Sequence, residues 1–154
     1  MDSLTSADLE ALEAAGAALV RHPVRKDQTD LELAVAFALG CGALEVIVIG
    51  GLGNRWDQTL ANLLLTAHPE FHGINLSFLD GYQRIYPVNG TITIEGRPGD
   101  TVSLIPIGGD AHGVTTHGLE YALEDGTISF GSTLGVSNVL TEQRATVEVK
   151  QGIV

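Results

Sequence analysis

The segment Gly50-Gly51-Leu52-Gly53-Asn54-Arg55-Trp56-Asp57-Gln58 lies between two runs of different character. Glu45-Val46-Ile47-Val48-Ile49 precedes it, and Thr59-Leu60-Ala61-Asn62-Leu63-Leu64-Leu65 follows it. The short apolar run predicts a buried strand, and the second run predicts a helix. A strand that feeds a glycine-rich turn, which in turn opens a helix, is an α/β unit. Its geometry directs backbone N–H groups and the positive end of a helix dipole at whatever sits in the turn. Arg55 adds a planar donor fork suited to phosphate. The same turn also occurs in proteins with no ligand there, so the segment fixes a local fold before it fixes a function.

The rest of the first half alternates helix and strand. Thr5 or Ser6 caps a short helix reaching about Ala15, and Gly16 stops it. Ala17-Ala18-Leu19-Val20-Arg21 is expected as a short strand that ends at His22-Pro23. Thr29-Asp30-Leu31-Glu32 has the form of a capping box ahead of a helix closed by Gly40 and Gly42. Ile74-Asn75-Leu76-Ser77-Phe78-Leu79 is a further strand. This succession predicts a parallel, Rossmann-like sheet with right-handed crossovers over residues 1–80. That sheet holds about three strands, fewer than the usual 4–6. Strands borrowed from a partner, or a longer parent chain, would account for the deficit.

After Asp80-Gly81 the pattern changes. Short period-two runs, among them Tyr82–Val88, Thr91–Glu95, Thr101–Pro106 and Ala145–Lys150, are separated by turn dipeptides such as Asn89-Gly90 and Asp125-Gly126. Residues 81–154 are therefore expected to form an antiparallel β-sandwich.

The 154 residues carry 19 acidic and 8 basic side chains, a formal charge of −11. With no basic stripe to displace counterions, nucleic acid is not an expected partner. A polyanionic ligand would need a bridging cation, and Mg²⁺ held by one or two carboxylates is the usual solution. No apolar run is long enough to span a bilayer, and no basic-then-apolar leader is present, so no membrane role is expected. Cys41 is the single cysteine, which excludes an internal disulfide and fits a reducing, cytoplasmic setting.

In a parallel α/β sheet, ligands bind beyond the carboxyl ends of the strands. The loop Val24–Asp30 and the Gly50–Gln58 turn would both leave such ends, joined by one crossover. Asp27 and Asp30 are therefore expected beside Arg55, an arrangement suited to metal-assisted phosphoryl chemistry. Without a ligand, Asp30 would simply support the first turn of its helix and Asp27 would be a solvated charge.

These residues carry a family resemblance. Lys26-Asp27-Gln28-Thr29-Asp30-Leu31-Glu32-Leu33-Ala34 is similar to the K-D-x-T-D-x-x-x-A signature of thiamine pyrophosphokinases. Gly50–Gln58 with Thr59-Leu60-Ala61-Asn62 resembles their G-G-x-G-x-R-x-D-[HQ]-x-x-A-N turn. Arg97-Pro98-Gly99-Asp100, Gly113–Leu119, Phe130-Gly131-Ser132 and Val136-Ser137-Asn138 look like β-domain landmarks of that family, in order. The likeness covers nearly the whole chain.

The resemblance implies transfer of pyrophosphate from MgATP to the hydroxyethyl group of thiamine, giving thiamine diphosphate and AMP. It implies a homodimer with sites between subunits. It casts Asp30 and Arg55 as catalytic, with Asp30 helping to hold magnesium and to orient or deprotonate the thiamine hydroxyl. Asp27, Thr29, Gly51, Gly53 and Gln58 would serve the nucleotide, and Ser137 with Asn138 the thiamine side. Asp2-Ser3 match the end of a G-D-x-D-S magnesium motif, so Asp2 is an expected metal ligand. Met1 stands where the residue before D-S belongs, which implies a chain lacking the first metal aspartate and at least one strand. Asn54 replaces a common glycine, and Val139 an acidic residue. The alternative is a non-catalytic thiamine-binding or dimerisation fragment without a complete nucleotide site.

Overall fold

The computed structural model describes residues 5–23 and 25–154. Its first element, α1 (Ser6–Ala14), carries the reciprocal capping box: the Thr5 hydroxyl accepts from the Asp8 N–H, and the Asp8 carboxylate accepts from the Thr5 N–H. α2 (Asp30–Gly40) has only half of the expected box. Thr29 caps it by accepting from the Glu32 N–H at 3.2 Å.

The strand expected at Ala17–Arg21 does not form. Gly16, at φ 83°, ends α1 with its N–H on the Glu13 carbonyl, and the Ala17 N–H bonds back to the Leu12 carbonyl. The run that follows folds back toward α1, where Arg21 reaches Glu13 at 3.4 Å. Local helix-terminating bonds and small side chains with little area to bury outweigh its apolar pattern.

The first sheet is mixed, in the order β1-β2-β3. β1 (Glu45–Ile49) pairs in parallel with β2 (Asn75–Asp80), and the connection between them carries α3 (Trp56–Leu64). β3 (Gln83–Ile85) returns antiparallel to β2, so residues just past position 80 still belong to this sheet. One face carries the core: Val48, Leu76 and Phe78 pack with Val35 of α2 and with Leu65, Phe71 and Ile74. The other face is buried at Ser77 of β2 and open along β1. Ile47 and Ile49 remain 45% and 76% exposed, so β1 is not the fully buried strand its composition suggests. Among the described residues it is an edge strand with only one covered face.

The remaining strands are antiparallel. β4 (Thr91–Glu95), β6 (Ala111–His117), β7 (Gly126–Ile128) and β9 (Arg144–Glu148) form a sheet in the order β4-β9-β6-β7. β5 (Thr101–Val102) and β8 (Asn138–Val139) form a two-stranded ladder. On β9 and just beyond it, Ala145, Val147 and Val149 are buried while Arg144, Glu148 and Lys150 are exposed, the alternation of a sheet with one wet face. Val114, Ile128, Val147 and Leu104 are central to this core, and Val102 packs against it. The fold is thus sheet-rich with few helices and a β-sandwich-like second part. No helix among the described residues is long and apolar enough to cross a membrane.

Candidate active site

β1 ends at Ile49, and the chain turns through Gly50 into the glycine segment before α3 begins at Trp56. A cleft of about 620 Å³ opens over this turn. Asp30 and Leu31 from the start of α2 line one side of it, and residues 48–55 with Gln58, Thr59 and Asn62 line the rest. Five expected site residues therefore meet at one place: Asp30, Gly51, Gly53, Arg55 and Gln58. The convergence does not need the strand expected at Ala17–Arg21. Val35 and Leu31 of α2 pack into the same core as Val48, and this carries the N-terminus of α2 to the carboxyl end of β1.

Gly51 is required by packing. A Cβ there would lie 2.6 Å from the Val48 side chain and 3.1 Å from Phe78. The turn therefore presses its backbone onto the core. Two α3 side chains hold it. The Thr59 hydroxyl accepts from the Gly53 N–H at 3.1 Å and donates to the Gly53 carbonyl at 3.2 Å. Asn62 Nδ2 donates to the Gly51 carbonyl at 2.6 Å. The Gly53 N–H, expected to face a ligand, is thus already engaged. Sequence reasoning missed Thr59 and Asn62 as turn-holding residues; their i, i+3 spacing on one helix face is the signal that could have found them.

Arg55 is the N-cap residue of α3 and makes no side-chain cap bond. Its guanidinium is held by Asp57, Nη2 to Oδ2 at 2.5 Å and Nε to Oδ1 at 3.2 Å. That bond holds the Asp57 carboxyl below its ordinary value, helped by the Gln58 N–H, and raises Arg55 above its own. Asp30 is bonded to Lys26, four residues earlier. The Lys26 ammonium keeps the Asp30 carboxyl below the usual carboxylate range, first through that hydrogen bond and then through its charge.

Other expected residues lie elsewhere. Asp27 is exposed and does not line the cleft, and the Thr29 hydroxyl is engaged as the α2 cap. Ser137 and Asn138 belong to the second part of the chain and are not in the cleft wall. Ser137 adopts φ 62°, and its N–H donates to the Ser103 hydroxyl. Asn138 is 7% exposed, and its amide works on the backbone: Oδ1 accepts from Tyr121 and Val139 N–H groups, and Nδ2 donates to the Tyr121 carbonyl. Asp2 lies outside the described residues.

Among the described residues, no three His, Cys, Asp or Glu side chains gather as a metal cage, and Asp30 is the one carboxylate lining the cleft. That donor set fits a Mg²⁺ ion carried largely by phosphate and water, the usual mode for this ion, and does not fit an all-protein cage.

Two family models match the chain. The thiamin pyrophosphokinase catalytic domain matches residues 1–78. The thiamin pyrophosphokinase vitamin B1 binding domain matches residues 90–154. The thiamine pyrophosphokinase of Bacillus subtilis (strain 168) is 34% identical over 155 residues, covering 99% of this chain and 72% of that protein. Thiamine pyrophosphokinase 3 of Oryza sativa subsp. japonica is 29% identical, and 59% of its length is covered. The crystal structure of the Bacillus subtilis enzyme superposes with a TM-score of 0.86 at 32% identity, covering 99% of this chain and 72% of that one. Thiamin pyrophosphokinase from Candida albicans shares the fold at a TM-score of 0.82 and 14% identity. With both domain models matched in order, and with a cleft that gathers Asp30, Arg55 and Gln58 over the glycine turn, this chain belongs to the thiamin pyrophosphokinase family.

Proposed function

We propose that this chain transfers a pyrophosphoryl group from MgATP to the hydroxyl of thiamine, giving thiamine diphosphate and AMP. The observation that carries this reading is the meeting of Asp30 and Arg55 over the glycine turn in a member of this family. The thiamine oxygen bonds to the β-phosphorus, the bond from that phosphorus to the α–β bridging oxygen breaks, AMP departs, and the hydroxyl proton passes to solvent. Arg55 offers its fork to the charge that develops on the polyphosphate. Asp30, kept ionised by Lys26, is a weak base. It serves by accepting the hydroxyl hydrogen bond and aiming the oxygen, more than by removing its proton early. Asp30 would also hold Mg²⁺, and that ion, when bound, neutralises phosphate charge.

Several finer features belong to the same proposal. The nucleotide part spans residues 1–80 with a Rossmann-like parallel unit, which the β1-α3-β2 crossover supports, and β3 adds an antiparallel strand from beyond that boundary. The thiamine part spans 81–154 and contributes Ser137 and Asn138, which lie within the stretch matched by the vitamin B1 binding model. Asp27, Thr29, Gly51, Gly53 and Gln58 serve the nucleotide, and Asp2 is a second magnesium ligand. The protein works as a cytoplasmic homodimer.

The test is AMP release from MgATP with and without thiamine. Thiamine-dependent AMP supports the reading. Calorimetric thiamine binding without any AMP would overturn it in favour of a non-catalytic thiamine-binding fragment.

A further inference from the structure

We propose that Thr59 and Asn62 are positioning residues that fix the glycine turn in the shape that receives the nucleotide's polyphosphate, leaving the Leu52 and Asn54 N–H groups as its backbone donors. The inference rests on the reading of the cleft given above. A turn containing Gly50, Gly51 and Gly53 is cheap to bend and costly to order, because glycine has the most backbone freedom to lose. Three bonds from α3 do that ordering before any ligand arrives. Thr59 closes on both the N–H and the carbonyl of Gly53, at 3.1 and 3.2 Å, and Asn62 holds the Gly51 carbonyl at 2.6 Å. Three residues apart, the two side chains share the helix face that looks back at the turn. Among the described residues, the N–H groups of Leu52 and Asn54 have no protein acceptor, while that of Gly53 between them is turned back on Thr59. Leu52 and Asn54 both line the cleft, so their free N–H groups are available to an anionic oxygen there. Pre-ordering by side chains outside the phosphate contacts strengthens binding by removing part of its entropic cost.

Thr59→Val removes the hydroxyl at nearly constant shape, Thr59→Ser keeps it, and Asn62→Leu removes the amide donor. The experiment titrates the whole chain with magnesium tripolyphosphate by calorimetry, measures KM for ATP and kcat separately, and records melting temperatures. Thr59→Val and Asn62→Leu should bind tripolyphosphate about tenfold more weakly, the scale of a lost positioning bond. Their KM for ATP should rise, and Thr59→Ser should stay within about twofold of the parent. Parent-like binding by Thr59→Val and Asn62→Leu overturns the inference, as does a Thr59→Ser variant as weak as Thr59→Val. Arg55→Ala separates the two levels. If the parent does not bind tripolyphosphate, or Arg55→Ala binds it equally well, the reading of the cleft fails and this inference fails with it. If Arg55→Ala is impaired while Thr59→Val and Asn62→Leu are not, only the positioning role fails.

Discussion

Asp57 grips Arg55 along one edge of the guanidinium, with Nη2 to Oδ2 at 2.5 Å and Nε to Oδ1 at 3.2 Å. Both side chains are about two-thirds exposed, so this pair contributes little to stability. Its consequence is directional. The Nε–Nη2 edge is engaged by Asp57, and Nη1 has no protein partner among the described residues.

A lysine cannot reproduce that geometry, because its ammonium is a point charge on a flexible stem. Arg55→Lys should lower kcat/KM for ATP by roughly ten- to a hundredfold, the range expected when a reacting group is misplaced by about 1 Å. The melting temperature should barely move. Unchanged steady-state kinetics would remove Arg55 from the site.

Asp30→Asn keeps the size of the side chain and removes its charge. Loss of AMP release by about a thousandfold is expected, the scale of a single electrostatic catalytic contact. Helix α2 should survive, since Thr29 and not Asp30 supplies its cap. Near-parental AMP release would show that the hydroxyl is oriented by another group.

Acid should weaken the fold slightly, through exposed carboxylates that each contribute little and whose folded-state pKa lies below the unfolded one. Asp8 is lowered by its bonds to Thr5, Asp57 by Arg55 and Asp125 by Lys150. Each contributes stability that is complete above the unfolded carboxylate value of about 3.9 and disappears as pH falls through the lower folded value. Melting temperatures should therefore hold to about pH 5 and decline below about pH 4. Added salt should blunt the Asp57 and Asp125 parts, which are exposed ion pairs. A melting temperature that rises on acidification through this range would refute the assignment.

Asn138→Ala should cost about 2–3 kcal/mol, because two N–H groups and one carbonyl lose their partner in a buried place. Urea unfolding reads this directly as a lower midpoint at constant slope. An unaltered midpoint would mean that water replaces the amide without loss.

The site was legible where chemistry and spacing coincide. A glycine turn after an apolar run and before a helix located the cleft, and K-D-x-T-D brought Asp30 to it. The turn's internal bonding was only partly legible: the i, i+3 spacing puts Thr59 and Asn62 on one helix face, but does not say which way that face looks. Ala17–Arg21 misled because an apolar pattern carries no information about whether a neighbouring strand exists to pair with. Asn138 illustrates a different limit: nothing in an asparagine beside a turn shows that its amide bonds three backbone groups. In the second part, Thr91–Glu95 was readable in full because its alternation is unbroken. β6 was hidden by the register shift between His112 and Val114.

The open flank of β1 bears on how this protein behaves in the test tube. Ile47 and Ile49 stand on an edge that has no strand partner among the described residues, a template onto which other chains can zip. At low ionic strength the charge of −11 keeps molecules apart. Raising salt to about 1 M shrinks the Debye length to about 3 Å and removes that protection while leaving the sticky edge untouched. Self-association at high salt is therefore expected to begin at the five residues of this strand rather than in the packed cores.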